Sequence, residues 1–574
     1  MIVLGISDSI TSGAALVVDG EIVAAVNEER LNRKKMSMGF PVLSIREVLE
    51  IANLDASDID VVAVATESLF WRAEAVPFRD YFREKKGDFR DIFLSLGSLF
   101  SPIFGSYSSV RSTYQGIKRI LTLPRRKNIQ NVLKDQFHIQ APLVFVDHHF
   151  CHATSAYYTS GFSESLVITM DGAGDGKCSR AYLAVNGKFR ELTSIDSYHS
   201  VGNYYAYVTH ICGFKAHKHE GKITGLAAMG KPVYKELLKE FIFYQDGQIE
   251  NIGNCFDHSA IRKLEERLPK NFSKADLSAS VQLILEESVT QYCRKYLRET
   301  QQSNLALAGG VFANVKLNQR INELEEVENI FIHPGMGDEG LCVGAALSTA
   351  YADKFQTNSV IKNVYLGADY RNEDVRSLIN RYNCPVVDFS GSLEEKIAEL
   401  LASGKIIARF SGRMEYGPRA LGNRSILYQT GDKTVNDWLN KRLSRTGFMP
   451  FAPVTLWEER ERCFKNIKGA ADTARFMTIT FECTDWMLLN CPAVCHVDGT
   501  ARPQLIKEDD NPSYYQIVKK YFDLTGVPCL INTSFNMHEE PIVNTPEEAI
   551  LSSVQGRFDF LAIDSFLLAT NETA

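Results

Sequence analysis

Residues 166–188, LVITMDGAGDGKCSRAYLAVNGK, decide the fold. An apolar run ends in a turn crowded with Gly and Asp. A second apolar run follows, and Asn186-Gly187 turns the chain again. An Asn-Gly pair between apolar runs is a strong hairpin signal. The same grammar opens the chain at residues 2–22, IVLGISDSITSGAALVVDGEI, with Asp19-Gly20 as the turning pair. Asp8 stands as far before Asp19 as Asp175 stands before Asn186. The sequence therefore predicts two half-domains, each opening with a β-meander. In both, the first turn is rich in Gly, Asp and Ser, and such turns expose backbone N–H groups that can cradle phosphate.

Working outward, the pattern turns helical after each meander. SIREVLEIAN has apolar residues at helical spacing, and SASVQLILEESVTQYCRKYLRE is a longer amphipathic helix. NLALAGGVFANVKLNQRI and IFIHPGMGDEGLCVGAALSTA each read strand, Gly-rich turn, helix, which places a ligand at helix N-termini. A duplicated meander of this kind resembles the actin, sugar-kinase and Hsp70 ATPase (ASKHA) superfamily. Residues 68–135 interrupt the scheme as a helical insertion, aromatic, then apolar, then basic. Such a segment packs on its own domain, covers an acceptor site or rests on a membrane surface. Near residue 360 a fresh α/β unit begins, punctuated by GRMEYGPRALGNRS, GFMPFAP, TARPQ and NTSFN. The expected domains are 1–360 and 361–574.

Composition narrows the function. The 574 residues are 45% hydrophobic and 23% charged, ordinary for a folded chain rather than a disordered or fibrous one. Lys plus Arg number 63 against 70 Asp plus Glu, a formal charge of −7 that disfavours general nucleic-acid binding. The start, MIVLGISDSI, lacks the basic and apolar regions of a signal peptide, and no apolar run is long enough to span a membrane. With twelve cysteines in no paired spacing, the expectation is reduced thiols in a cytoplasmic protein.

Several constellations carry chemistry. In VDHHFCHATSAYY, His148 and His152 lie four apart and share one face if helical, so both can bind one metal. Asp171 ends a strand and Asp338 sits in GMGDEG. Two imidazoles and two carboxylates suit iron or zinc. His149 reads as a supporting group or a core histidine. Gly172, Gly174, Gly309 and Gly310 would let backbone approach a nucleotide. Asn314 reads as a contact to ribose or base, or as a helix cap. HKHEGKITGLAAMG reads as a substrate-facing loop or a solvated turn. In the last third, Arg413, Arg419 and Arg424 share a loop shaped by Gly and Pro, and Lys441, Arg442 and Arg502 can join them around phosphate oxygens. Asn532, Thr533 and Ser534 follow the apolar strand PCLI, where strand ends meet ligands. Cys491, Cys495 and His496 also raise a zinc reading, without a matching second pair.

Taken together, GISDSITSGAALVVDG, DHHFCHATSAYY, MDGAGDG, AGGVFANVKLN, GMGDEG, GRMEYGPRALGNRSI, PFAP, RPQ, NPSYY and NTSFN resemble, in order, the motifs of the O-carbamoyltransferases. That family modifies nodulation factors, cephamycins and aminoglycosides such as tobramycin, and the resemblance spans nearly the whole chain. It implies an α/β protein with a duplicated actin-like N-terminal domain, similar to threonylcarbamoyl transferases, and a YrdC-like C-terminal domain. The C-terminal domain would combine carbamoyl phosphate with ATP, using Mg2+, into carbamoyl-adenylate, held through Arg413, Arg419, Arg424, Lys441, Arg502, Asn532 and Ser534. The N-terminal domain would pass the carbamoyl group to an acceptor hydroxyl. The metal on His148, His152, Asp171 and Asp338 would be iron, with zinc and manganese as alternatives. A homodimer is compatible with the sequence.

Three departures stand out. Ile10 occupies a position where many members carry His, Met449 one where many carry Arg, and Glu539 one where many carry Gly. Without a His at position 10, the candidate general bases are Asp8, His149 and Glu220. Two alternative readings are a threonylcarbamoyl-type transferase acting on tRNA and a nucleotide-binding homologue without turnover.

Overall fold

The computed structural model describes residues 1–80, 82–83, 107–352, 361–443 and 451–570. They fall into two compact units. One comprises Met1–Ile22, Met36–Val42 and Asn53–Val360; the other comprises Val23–Lys35, Leu43–Ala52 and Ile361–Ala574. Met449 lies outside the described residues, as do the apolar run 92–105 and residues 353–360 before the second unit.

Two five-stranded sheets share one topology. In the first, β1 (Ile2–Ser7), β2 (Gly13–Val18) and β3 (Glu21–Asn27) form the meander, followed by β4 (Val61–Ala65) and β5 (Leu143–Val146). The order is β3-β2-β1-β4-β5, with β1 antiparallel to β2 and parallel to β4. In the second sheet, β6 (Glu164–Gly174), β7 (Lys177–Val185) and β8 (Lys188–Asp196) form the meander. After the small hairpin β9 (Ile242–Gln245) and β10 (Gln248–Asn251), the strands β11 (Asn304–Ala308) and β12 (Asn329–Ile332) complete it. Its order, β8-β7-β6-β11-β12, with β6 antiparallel to β7 and parallel to β11, repeats the first. The turning pairs behave as their residue types dictate. Asp19 and Gly20 adopt φ of 51° and 92°, and Asn186 and Gly187 adopt 49° and 77°. Two successive positive φ values match the right-handed twist of the flanking strands.

Two buried helices lock the first unit. His148–Ser160 is capped by the Asp147 carboxylate, which accepts from Phe150 N at 2.9 Å, and stopped by Gly161 at φ 80°. It lies against Leu341–Ala350 at a distance only glycine permits, since a Cβ on Gly344 would stand 1.8 Å from the Cys151 carbonyl oxygen. Thr154 Oγ1 donates to Gly344 O at 2.8 Å across that contact.

The second unit is built on a mixed seven-stranded sheet. Its strands are β13 (Ile407–Phe410), β14 (Arg424–Tyr428), β15 (Ala452–Leu456), β18 (Gln504–Ile506), β19 (Cys529–Ser534), β20 (Phe560–Ile563) and β21 (Phe566–Ala569). A minor ribbon pairs β16 (Phe481–Glu482) with β17 (Thr500–Ala501). The large sheet runs β18-β15-β19-β14-β13-β20-β21. Helices Leu393–Ala402 and Pro512–Thr525 cover one face through Ile397, Leu401, Ile517 and Val518, which are wholly buried with Leu427, Val454 and Leu530. Among the described residues no helix is long and apolar enough to cross a membrane.

Candidate active site

In the first unit, four side chains predicted from separate motifs meet. His148 and His152 project one turn apart from the first buried helix. Asp171 comes from β6, and Asp338 opens the short turn Asp338–Gly340 leading into the second buried helix. His152 Nε2 lies 3.2 Å and His148 Nε2 3.4 Å from Asp171 Oδ2. Asp338 Oδ1 lies 3.7 Å and 3.8 Å from the same two nitrogens. One donor atom from each of the four falls within 4.8 Å of the others.

Close backbone contacts hold this geometry. A Cβ on Gly174 would stand 2.1 Å from the His148 ring, so the imidazole lies where only glycine leaves room. Gly309, at φ 111°, presses on the end of β6, where its Cβ would be 2.2 Å from Met170 O. Gly172 N donates to Asp171 Oδ1 at 2.7 Å, and a Cβ on Gly310 would meet the same oxygen at 2.9 Å. All four predicted glycines thus border the cluster. Gly174→Ala is expected to displace the His148 ring and cut metal retention by about tenfold or more with the fold intact. Metal content of the purified variant, beside its circular dichroism, checks this.

The electrostatics fit a divalent cation. Burial opposes charge on His148, yet Asp338 and Asp171 outweigh it and push the imidazole up to about 9. Burial raises Asp338 to about 7, with Asp171 beside it acting in the same direction. Burial lowers His152. Two carboxylates so close share charge poorly without a cation or a proton between them. Two neutral imidazoles and two carboxylates carry −2 together, which a divalent ion balances. Thr66 Oγ1 stands 3.1 Å from His148 Nδ1. With the proton on Nδ1, that hydroxyl accepts it and Nε2 turns its lone pair to the cluster.

The sequence motifs did not announce the supporting residues. Ser9 Oγ donates to Asp338 Oδ2 at 2.6 Å. Asp175 accepts from the backbone N–H groups of Glu67, Ser68 and His148, which ties the turn after β4 to the head of the histidine helix. Arg125, from the helix Pro124–Phe137, donates to Asp8 from Nε at 2.9 Å and from Nη2 at 2.5 Å. It also holds the carbonyls of Thr66 and Ala65.

These contacts separate the three candidate bases. Both Asp8 oxygens are engaged by Arg125 in a buried pair, so Asp8 is placed to position the loop rather than to take a proton. His149 is wholly buried with Nδ1 at 2.9 Å from Thr169 Oγ1, and burial lowers it far below the usual imidazole range. Glu220 differs: burial pushes its carboxyl up to about 7, and Oε1 accepts from His217 N at 2.6 Å. The His217 ring in turn lies beside Gly172, next in sequence to Asp171. Asn314 caps the helix Val315–Asn322 through Leu317 N and donates to Gln282 Oε1 at 2.8 Å. Ile10 is half-buried.

In the second unit, the loop 413–424 is organised by a residue the motif reading passed over. Glu415 Oε1 accepts from the backbone N–H groups of Leu421, Asn423 and Arg424 at 2.8–3.0 Å. Arg409, also unforeseen, donates to Gly422 O and Asn423 Oδ1. Arg413 donates to the carbonyls of Gly367, Leu366 and Val23, so its role in this unit is to hold backbone. Arg424 is wholly buried, stacked 3.6 Å over the Phe410 ring, and its Nε and Nη2 have no hydrogen-bond partner among the described residues. Burial depresses its guanidinium to about 10. Burial also lowers Arg502, and the neighbouring Arg419 lowers it further. Arg419 and Arg502 lie close enough to repel each other, a repulsion that a bound anion would relieve. Asn532 Nδ2 donates to Gln504 Oε1 at 2.7 Å while its Oδ1 has no hydrogen-bond partner among the described residues, and Ser534 lies two residues further along β19. Lys441 is exposed in the last turn of Val435–Arg442.

Two family models match the chain: the carbamoyltransferase N-terminus over residues 2–347 and the carbamoyltransferase C-terminus over residues 398–570. The chain belongs to the carbamoyltransferase family. It is similar to nodulation protein NolNO of Sinorhizobium fredii, at 30% identity over 97% of this chain and 78% of that protein. It is similar to nodulation protein NolO of Bradyrhizobium diazoefficiens, at 31% over 74% and 78%. An uncharacterized protein of Methanocaldococcus jannaschii, MJ1058, is 36% identical over 74% of this chain and 73% of its own length. Full-length HypF in its phosphate- and nucleotide-bound form is a remote structural neighbour, with TM-score 0.34 and 11% identity over 62% of this chain and 56% of that one. As a member of the family the chain is a carbamoyltransferase enzyme, and carbamoyl transfer is its chemistry.

Family membership also gives Glu539 a meaning. It adopts φ 64°, the left-handed region that favours glycine, the residue the resemblance leads one to expect there.

Proposed function

We propose that this carbamoyltransferase is an ATP-dependent O-carbamoyltransferase with two half-reactions in two domains, 361–574 and 1–360. In the first, water cleaves carbamoyl phosphate to carbamate and phosphate, and the carbamate oxygen attacks the α-phosphorus of ATP to give carbamoyl-adenylate as pyrophosphate leaves. In the second, the hydroxyl of a small-molecule or glycan acceptor attacks the carbamoyl carbon and AMP leaves. One observation carries this reading: the two units hold sites of opposite charge. A carboxylate–imidazole cluster that calls for a cation lies in one, and crowded guanidiniums that call for phosphate lie in the other. The repeated sheet order supports a duplicated actin-like domain.

His148, His152, Asp171 and Asp338 would hold the metal, iron by the resemblance, with zinc and manganese accepting the same donors. When bound, it would supply positive charge to the oxygen that turns negative as the carbonyl is attacked. Thr66 and Ser9 orient the ligands, and Arg125 fixes the loop around Asp8. Glu220 would receive the acceptor proton, since a carboxyl near 7 is half ionised at working pH. In the C-terminal domain, Arg419, Arg424 and Arg502 would bind the phosphates of both substrates, with Asn532 and Ser534 at the strand end.

Direct detection of carbamoyl-adenylate by mass spectrometry, in a mixture of enzyme, ATP, Mg2+ and carbamoyl phosphate without acceptor, tests the intermediate. Its absence while acceptor is still carbamoylated would overturn the adenylate route. The proton assignment has its own test. Transfer should rise as pH passes about 7, where Glu220 loses its proton, and level off above. Glu220→Gln should lower the plateau by about a hundredfold or more and erase that limb. A limb that persists in the variant assigns it to another group.

A further inference from the structure

The helices Ser108–Thr122 and Pro124–Phe137 have a character unlike the rest of the chain. Residues 107–134 contain seven Lys and Arg and no Asp or Glu, in a chain of net charge −7. Two of these cations, Arg125 and Arg111, face inward, and Arg119 is an exposed partner of an exposed carboxylate. Arg125 holds Asp8, Arg111 Nε lies 3.3 Å from Asp196, and Arg119 reaches Glu67 at 3.4 Å. Arg126, Lys127 and Lys134 are exposed. The second helix buries Ile129, Leu133 and Phe137, but the first turns its large aliphatic residues outward. Val110, Ile117, Ile120 and Leu121 fall on one face of the first helix, and all are exposed. Ile120 is 67% exposed, and Leu123, at the junction, 66%. Large aliphatic side chains this open, beside exposed cations, mark a binding surface rather than scattered surface variation.

From this we infer that the helix pair docks the enzyme on an anionic phospholipid bilayer. Exposed Ile and Leu enter the boundary between headgroups and acyl chains, and the cations meet the lipid phosphates. Neither helix is long or apolar enough to span, so the pair lies on the surface. The aliphatic character argues against RNA as the partner, because single-stranded nucleic acid is bound by aromatic stacking beside the cations. The inference goes beyond carbamoyl transfer and does not depend on the adenylate route.

Sedimentation of the full-length protein with vesicles tests it, using phosphatidylcholine alone and phosphatidylcholine with about one third phosphatidylglycerol. The protein should pellet with the anionic vesicles at low salt, and binding should fall as salt rises. The double variants Ile120→Ser with Leu123→Ser, and Arg126→Glu with Lys127→Glu, should each weaken binding by about tenfold or more while melting at the wild-type temperature. No pelleting with anionic vesicles, or unchanged binding in either double variant, overturns the proposal. So does a charge-reversed variant that loses affinity for a mixed-sequence RNA while still pelleting, since that would make this a nucleic-acid face.

Discussion

In a His148→Ala variant, carbamoyl transfer should fall by on the order of a thousandfold or more, while carbamoyl-dependent pyrophosphate release continues at the wild-type rate. His148 is the ligand on which the cluster's contacts converge. Its Nε2 approaches both carboxylates, Thr66 sets its other nitrogen, and Gly174 exists as glycine to admit its ring. Removing it leaves Asp171 and Asp338 facing each other with one imidazole instead of two. Cation affinity should drop with it, and a bound cation would no longer supply positive charge to the oxygen that turns negative. The pyrophosphate-forming chemistry is assigned to groups in the other unit, so that half-reaction should not register the change. Separate assays of metal content, pyrophosphate and carbamoylated acceptor decide the matter. Normal transfer by a metal-depleted variant would remove the metal from the reaction.

The mirror-image result is expected for Arg419→Ala. Pyrophosphate release should fall by about a hundred- to a thousandfold, with the metal content of the protein unchanged. Burial already holds the Arg502 guanidinium low, and Arg419 adds to that by repulsion. Deleting Arg419 relieves the repulsion in the free enzyme and removes a fork that would clasp a phosphate. The variant should therefore melt no lower than wild type while losing activity, the pattern of a site held strained for its ligand. Arg419→Lys should recover only part of the loss, because an ammonium keeps the charge without the two-pronged geometry. A melting point that drops together with activity would make Arg419 a structural residue.

Much of the first unit was legible because its signals are local. Asp19-Gly20 and Asn186-Gly187 can hardly do anything but turn a hairpin, and both do. His148 and His152 advertise one helix face by spacing alone. Asp171 and Asp338 were found because each sits at a strand end or Gly-rich turn where ligands gather. The supporting residues had no such signature. Arg125 reaches Asp8 from 117 positions away, and an arginine in a basic stretch reads as surface. Thr66 and Ser9 are ordinary residues until the fold brings them to His148 and Asp338.

In the second unit, motif and role separated. Arg413 shares a conspicuous loop with Arg419 and Arg424, yet three carbonyls claim its donors. Only the tertiary contacts distinguish an arginine all of whose bonds go to backbone from Arg424, whose Nη1 holds the Ser411 and Asn423 carbonyls while its Nε and Nη2 have no partner among the described residues. Glu415, a lone acid between Met414 and Tyr416, gave no hint that it gathers three N–H groups. The seven-stranded sheet mixes parallel and antiparallel neighbours far apart in sequence, so periodicity could show its strands but not their order.

The most direct measurement is pyrophosphate release from ATP by the wild-type enzyme with excess Mg2+ and no acceptor, with and without carbamoyl phosphate. It should be made before and after transition-metal depletion. Release should require carbamoyl phosphate and be indifferent to depletion, while transfer to an acceptor should be lost on depletion. Release that ignores carbamoyl phosphate, or no release from nucleotide-binding protein, would contradict it.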